Sequence, residues 1–140
     1  GLALNLQQEI ADELGFFGRF SVSNGHTESW AFEDIDQSES LGLSLKGGRW
    51  SRPDDTLALG VVQNELTQQH RGFFFVGGTG ILVGDGTLSY RPERILETYY
   101  RLQVFKPLSI SLDYQYVVDP AYNSARGPVS VFAGRIHLEY

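Results

Sequence analysis

Six charged side chains occur at alternate positions in segments that are otherwise rich in apolar residues. They are Arg19, Lys46, Glu97, Arg101, Asp113 and Arg135. Arginine presents several N–H donors in a fixed fork and a carboxylate accepts several hydrogen bonds, so a mixed set of this kind suits a hydroxyl-rich ligand. The competing interpretation is that these side chains form ion pairs along a wetted protein wall. For any one of them taken alone, the sequence favours that structural role.

Motifs for catalysis and for metal or nucleotide binding are missing from the sequence. His26, His70 and His137 do not form an H-E-x-x-H pattern, and no G-x-S-x-G pattern occurs. Residues 78–80 read G-T-G but lack the rest of the G-x-G-x-x-G pattern. Cysteine is absent, which removes disulfide bonds and thiolate metal ligands. The sequence therefore predicts no enzyme and no bound cofactor.

Three acidic residues, Glu33, Asp34 and Asp36, lie close together in one predicted connection. They could contribute to a calcium site, but the D-x-D-x-D-G loop pattern is incomplete. We interpret this segment as a solvated acidic loop and expect no metal there.

Composition narrows the class of protein. Of the 140 residues, 41% are hydrophobic, which excludes a disordered tail. No run of about 18 apolar residues occurs, so no transmembrane helix is expected, although a spanning strand needs only about 9–11 residues with every second one apolar. Acidic residues outnumber basic ones by 17 to 11 and no basic cluster occurs, which argues against a nucleic-acid partner.

Alternation of apolar and polar residues predicts seven β-strands and an all-β fold. The predicted strands cover residues 2–7, 16–24, 37–50, 57–64, 93–105, 108–116 and 129–140. Successive side chains of a strand project from opposite faces. The face predicted to contact lipid carries Leu41, Leu43, Leu45, Leu96, Leu102, Ile110, Leu112, Ile136 and Leu138, with Phe16, Tyr100, Tyr114, Tyr116 and Tyr140 as lipid-facing or interface aromatics. The six charged candidates lie on the other face.

Short and long connections alternate along the chain. Short turns are predicted at 11–15, 51–55 and 106–107, and longer loops at 25–36, 65–92 and 119–128, with a short helical turn near 68–71. Short turns at one end and long loops at the other are typical of an antiparallel outer-membrane β-barrel. A soluble β-sandwich that acts as a binding module remains the alternative.

An odd number of strands has a consequence for closure. A complete bacterial barrel has an even number, and an open edge in lipid leaves backbone groups unpaired at a cost of several kcal/mol each. We therefore expect that the chain does not close alone and that strands preceding Gly1, or another chain, complete the barrel.

Six stretches of the sequence, in order and at suitable spacing, resemble the C-terminal half of carbohydrate-selective porins of the OprB family. They are 28–32 (ESWAF), 41–47 (LGLSLKG), 50–55 (WSRPDD), 81–86 (ILVGDG), 92–97 (PERILE) and 123–132 (NSARGPVSVF). The resemblance covers nearly all 140 residues. It implies that residues 1–140 are the C-terminal portion of a single-chain barrel of about sixteen strands in the outer membrane of a Gram-negative bacterium.

The same resemblance implies passive diffusion of small neutral sugars such as glucose. The charged candidates then line the lumen, where some of them hydrogen-bond sugar hydroxyls. Trp30 is a further candidate, because an aromatic ring in a loop that folds into the pore can stack on a sugar ring. Packing within the loops is the equal alternative for Trp30, Phe32 and residues 73–75. A non-conducting structural or partner barrel segment is the alternative function.

Overall fold

The computed structural model describes residues 1–26, 34–80, 83, 86 and 88–139, and in this part the chain forms one antiparallel sheet. Its seven strands are β1 (Leu2–Ala11), β2 (Leu14–Val22), β3 (Gln37–Gly47), β4 (Arg52–Glu65), β5 (Glu93–Phe105), β6 (Leu108–Val118) and β7 (Val129–Leu138). Each strand pairs with its neighbours in sequence, in the order β1 to β7. The described part also contains one helix, α1 (Gln68–Phe75), and two 3-10 turns, Gly48–Trp50 and Pro120–Tyr122.

The predicted strands and their alternating connections are confirmed, with changes at the boundaries. β5 has the predicted bounds, whereas β1 continues to Ala11, so the first turn contains only Asp12 and Glu13. β3 ends at Gly47, because residues Gly48–Trp50 form a 3-10 turn and not the end of a strand. The connections at one end of the sheet are short and those at the other are long.

The largest boundary error concerns β4, which begins at Arg52 inside the predicted turn 51–55. The pairing register shifts here, since Gly47 is opposite Arg52 but Lys46 is opposite Thr56. Asp55 compensates for this irregularity, because its carboxylate accepts the backbone N–H of Gln103 at 2.8 Å. A proline and two aspartates suggest a turn, but here they form a bulge, one of the few places where a strand tolerates proline.

The pairing register of the strands places apolar and charged side chains on opposite faces of the sheet, as the alternation of residues in the sequence predicted. Directly opposed residues in an antiparallel pair share a face, and the observed pairs place all nine predicted lipid-contacting residues on the same side. Large apolar side chains on this face are exposed, for example Leu112 at 68% and Ile136 at 75%. An apolar surface of this extent fits lipid and does not fit water.

The apolar face ends in hydrogen-bonded aromatic residues at the short-turn side. The Trp50 indole donates to the Tyr100 hydroxyl at 3.1 Å, and that hydroxyl donates to Asp55. Arg52 also donates to Asp55, at 2.5 Å, which compensates the charge of a carboxylate that is only 1% exposed. An aromatic pair with polar partners at the end of an apolar band is typical of a membrane–water interface.

The buried apolar cluster lies beneath the long connections. Its members are Leu66, Phe74, Val83, Leu88 and Tyr122. Burial raises the pKa of the Tyr122 hydroxyl, which therefore stays protonated and donates to the Asp34 carbonyl at 2.8 Å. The long connections thus pack on one another as a small hydrophobic unit at one end of the sheet.

Asp36 holds three of these segments together. Its carboxylate accepts the backbone N–H of Thr67 at 2.7 Å and the Thr67 hydroxyl at 2.9 Å, and it contacts His70 Nδ1 at 3.1 Å. The Asp36 carbonyl accepts the Ser23 N–H at 2.6 Å. Asp36 is only 6% exposed, so the prediction of a solvated acidic loop is wrong for this residue.

Helix α1 extends beyond the helical turn predicted near 68–71. Thr67 caps its first turn by accepting the His70 N–H, and Arg71 donates to the Leu66 carbonyl at 2.6 Å while lying 3.8 Å from the centre of the Tyr90 ring. The phenylalanines at 73–75 lie in this helix, and only Phe74 among them is buried. In the described residues, no helix has the length and apolar character needed to cross a membrane.

An arginine on the apolar face should be far more costly than one on the opposite face. Leu112→Arg should lower the free energy of unfolding by about 2–4 kcal/mol, because the charge would point into hydrocarbon. Gln115→Arg, on the other face of the same strand, should change it little. Denaturant unfolding of the full-length protein in lipid vesicles measures both, and equal losses would contradict the assignment of faces.

Removing the Asp36 carboxylate should loosen the long connections without disrupting the strands. Asp36→Ala leaves the Thr67 N–H without its acceptor, at a cost of about 1–3 kcal/mol that falls on α1 and its neighbours. Hydrogen exchange should then accelerate in residues 66–76 while β5 and β6 remain protected. Asp54→Ala, an exposed acid at the short-turn end, is the control. Unchanged exchange in 66–76 would show that Asp36 does not hold these segments.

Candidate functional site

All six charged candidates project from the face opposite the exposed leucines. The pairing register places them there, since Arg19 is opposite Ser40, Lys46 is opposite Thr56, and Asp113 is opposite Ala133. Charge is tolerated at membrane depth where it meets water or a partner, so this face is the wetted one. Polar side chains of the same face include Ser44, Gln115 and Ser111.

Three of the cations lie in one row across the sheet. The row runs Lys46, Thr56, Arg101, Ser111 and Arg135 from β3 to β7. The Lys46 ammonium lies 3.4 Å from the Thr56 hydroxyl, and Arg101 donates to the Gln103 side chain at 3.0 Å. Within the described ranges of the chain, no carboxylate oxygen lies within 4.0 Å of these three cations. Their charges are therefore available to a ligand in the space above the sheet.

Two acids lie immediately beside this basic row. Asp113 belongs to the next row toward the long connections and Glu97 to the row after it. Both line an open hollow of about 490 Å³, together with Arg101 and Arg135. The hollow thus offers hydrogen-bond donors from one row and acceptors from the next two rows, and Tyr99 also lines it.

Arg19 lies apart from this group. It occupies the row of Ser40, Val62 and Ile95, three rows from Lys46. Its guanidinium carbon lies 5.8 Å from the centre of the Phe17 ring. Arg19 and Phe17 line a second, smaller hollow of about 200 Å³. The structure therefore brings Glu97, Arg101, Asp113 and Arg135 together around one hollow. Lys46 lies in the row of Arg101, and Arg19 lies in a neighbouring hollow that Glu97 also lines.

Trp30 and Phe32 lie outside the described residues, so the prediction for Trp30 stays a prediction. His137 is on the wetted face but near its short-turn edge, where it lies 3.2 Å from the Glu139 carboxylate. Both side chains are exposed there, well away from the hollow around Asp113.

Sequence reasoning missed several residues of the wetted face. Phe17 is one, because an aromatic residue in a strand with Phe16 and Phe20 does not stand out. Asp54 and Lys106 are others, and with Lys46, Arg101 and Glu139 they line a hollow of about 590 Å³ at the short-turn end. The position of Phe17 in the sequence indicated its facing, because Phe17 and Arg19 both occupy odd-numbered positions of β2 and therefore project from the same face.

Comparison with known proteins identifies the family. The model of the carbohydrate-selective porin family OprB matches residues 1–140. A structure of Pseudomonas putida OprB at high pH is similar, with a TM-score of 0.68 and 22% sequence identity over 86% of this chain. The match covers 29% of that structure, so the chain spans less than a third of its length. The curated proteins contain no significant match. The fold is thus that of a porin barrel wall, and the chain belongs to the OprB family of carbohydrate-selective porins, which are outer-membrane channels and not enzymes.

Proposed function

We propose that the protein works as an outer-membrane channel through which small neutral sugars such as glucose diffuse passively. The observation that carries this proposal is the hollow around Asp113, where two arginines and two acids line the same wetted space. Family membership supports the assignment to carbohydrates. The choice of glucose as the permeating sugar is proposed in addition to what family membership supports.

The arrangement of charge favours a neutral polyol over an ion. Arg101 and Arg135 donate hydrogen bonds to hydroxyl oxygens, while Glu97 and Asp113 accept hydrogen bonds from hydroxyl protons. An anion channel would need mainly Lys and Arg on its wall, and a cation channel mainly Asp and Glu. Here a basic row is followed by two rows that each carry one acid, and the chain carries a net charge of −6. A sugar that both donates and accepts matches both rows at once.

The barrel around this wall requires further strands. Among the described residues, β1 and β7 each pair with one neighbour, so their outer edges carry free backbone groups. Such edges are too costly to leave open in lipid. In the proposed assembly, residues 1–140 form the C-terminal portion of the barrel wall, and strands of the same protein or of another chain pair with both edges.

Substitution in the hollow should change sugar affinity more than it changes barrel yield. Arg101→Ala or Asp113→Ala removes one hydrogen-bonding partner, which is worth about 1 kcal/mol, or about fivefold in the glucose concentration that half-blocks the ion current. Planar-bilayer recordings of the full-length protein measure the block, and heat-modifiability on gels measures folded barrel. His137→Ala, on the same face but outside the hollow, is the control.

Two outcomes would contradict the proposal. Unchanged glucose block, with only the preference between anions and cations shifted, would mean that these residues shape the electric field and do not bind sugar. The absence of any conductance in the unmodified protein would favour a non-conducting structural barrel.

A further inference from the structure

We propose that Phe17 is an aromatic platform on which the apolar face of a pyranose ring stacks, with Arg19 and Glu97 lining the same hollow. This inference rests on the proposed sugar channel and names a second binding position on its wall. It also narrows the ligand from polyols in general to sugars in the closed ring form.

The first observation is how the Phe17 ring lies. On the wetted face, Phe17 is opposite Gly42, and Gly42 is opposite Gly60. A Cβ atom built on Gly42 would lie 2.4 Å from Phe17 Cε1, and one built on Gly60 would lie 3.6 Å from Phe17 Cζ. The ring therefore lies along the wall, in the space that two glycines leave free. The ring thus rests on the backbone of the glycines, while Phe17 is only half-buried and lines an open hollow on the wetted face.

The second observation is what surrounds the ring. Arg19 is exposed, and its guanidinium carbon lies over the Phe17 ring at 5.8 Å from its centre. Among the described residues this guanidinium makes no ion pair or hydrogen bond, so it can move aside and donate to a ligand. Glu97, Tyr99 and Ser40 line the same hollow of about 200 Å³. A pyranose presents a flat patch of C–H groups on its face and hydroxyl groups around its rim. An aromatic ring that shares its hollow with a mobile fork of donors and a carboxylate matches both parts of such a ligand.

The third observation is continuity with the charged hollow. Glu97 and Tyr99 line both hollows, so a sugar on Phe17 has its next hydrogen-bonding partners already in place. Permeation is fastest where binding is weak and divided among successive sites. Phe17 thus forms one sugar-binding position on the side of the long connections. The Asp113 hollow forms the adjacent sugar-binding position on the side of the short turns.

The competing explanation is that Phe17 only covers the backbone of the glycines, as aromatic residues do elsewhere in β-sheets. Any apolar side chain of similar volume would then serve. The stacking explanation requires the flat aromatic face, which separates the two by experiment.

The test compares Phe17→Leu, Phe17→Tyr and the unmodified full-length protein in planar bilayers with glucose as the probe. We expect the half-blocking glucose concentration to rise about fivefold in Phe17→Leu and to stay near the unmodified value in Phe17→Tyr, which keeps the aromatic face. Block by mannitol, an open-chain polyol, should be nearly the same in all three. Phe16→Leu is the matched control, because Phe16 is the adjacent residue on the lipid-facing side.

Equal glucose block in Phe17→Leu and the unmodified protein would overturn the platform. If at the same time Arg101→Ala weakened glucose block, the proposed sugar channel would stand without the platform. A second measurement needs no variant and applies if Phe17→Leu does not fold. The unmodified protein should be blocked by glucose at lower concentration than by mannitol, and equal block by the two would also overturn the stacking site.

Discussion

The backbone hydrogen-bond ladder is the interaction on which the other features of this chain depend. In lipid every unpaired N–H or C=O group costs several kcal/mol, so the strands must be paired along their whole length. Pairing fixes the register, and the register fixes which side chains share a face, because a slip of one residue would exchange the two faces. The observed register places the nine aliphatic residues predicted to meet lipid and the six charged residues on opposite faces, and a slip of one residue in any strand would mix the two sets.

Because the apolar face of the sheet is turned outward to lipid, it does not form the hydrophobic core that the apolar face of a soluble sheet usually forms. The chain compensates at its long-connection end, where Phe74 and Tyr122 belong to a buried cluster beneath the loops. Asp36 joins β2, β4 and α1 there through hydrogen bonds to Ser23, Thr67 and His70. Such a network is sensitive to the loss of a single member, since a buried polar group left without its partner is costly. The long connections are thus packed units and not loose loops.

The sequence was sufficient for the features that follow from period-two alternation. It predicted the seven strands, the bounds of β5 and the facing of Leu112 and Asp113. It failed where a contact between distant residues overrides a local preference. Pro53 to Asp55 suggest a turn, yet Asp55 accepts the Gln103 N–H and the strand continues. Asp36 suggests a solvated loop, yet Thr67 and His70, more than thirty residues away in sequence, surround it. Neither partner can be identified from local composition.

The wetted wall combines two kinds of contact that a sugar can use in turn. In the proposed channel, the charged rows around Asp113 would bind hydroxyl groups through directional hydrogen bonds, which water also satisfies, so their net contribution is modest. In the proposed stacking site, Phe17 would gain from removing C–H groups of the sugar from water, and this contribution does not compete with hydrogen bonds to the hydroxyl groups. Because the two contacts draw on different parts of the ligand, neither needs to be strong. Moderate affinity at adjacent positions lets a ligand enter and also leave, which a diffusion channel requires.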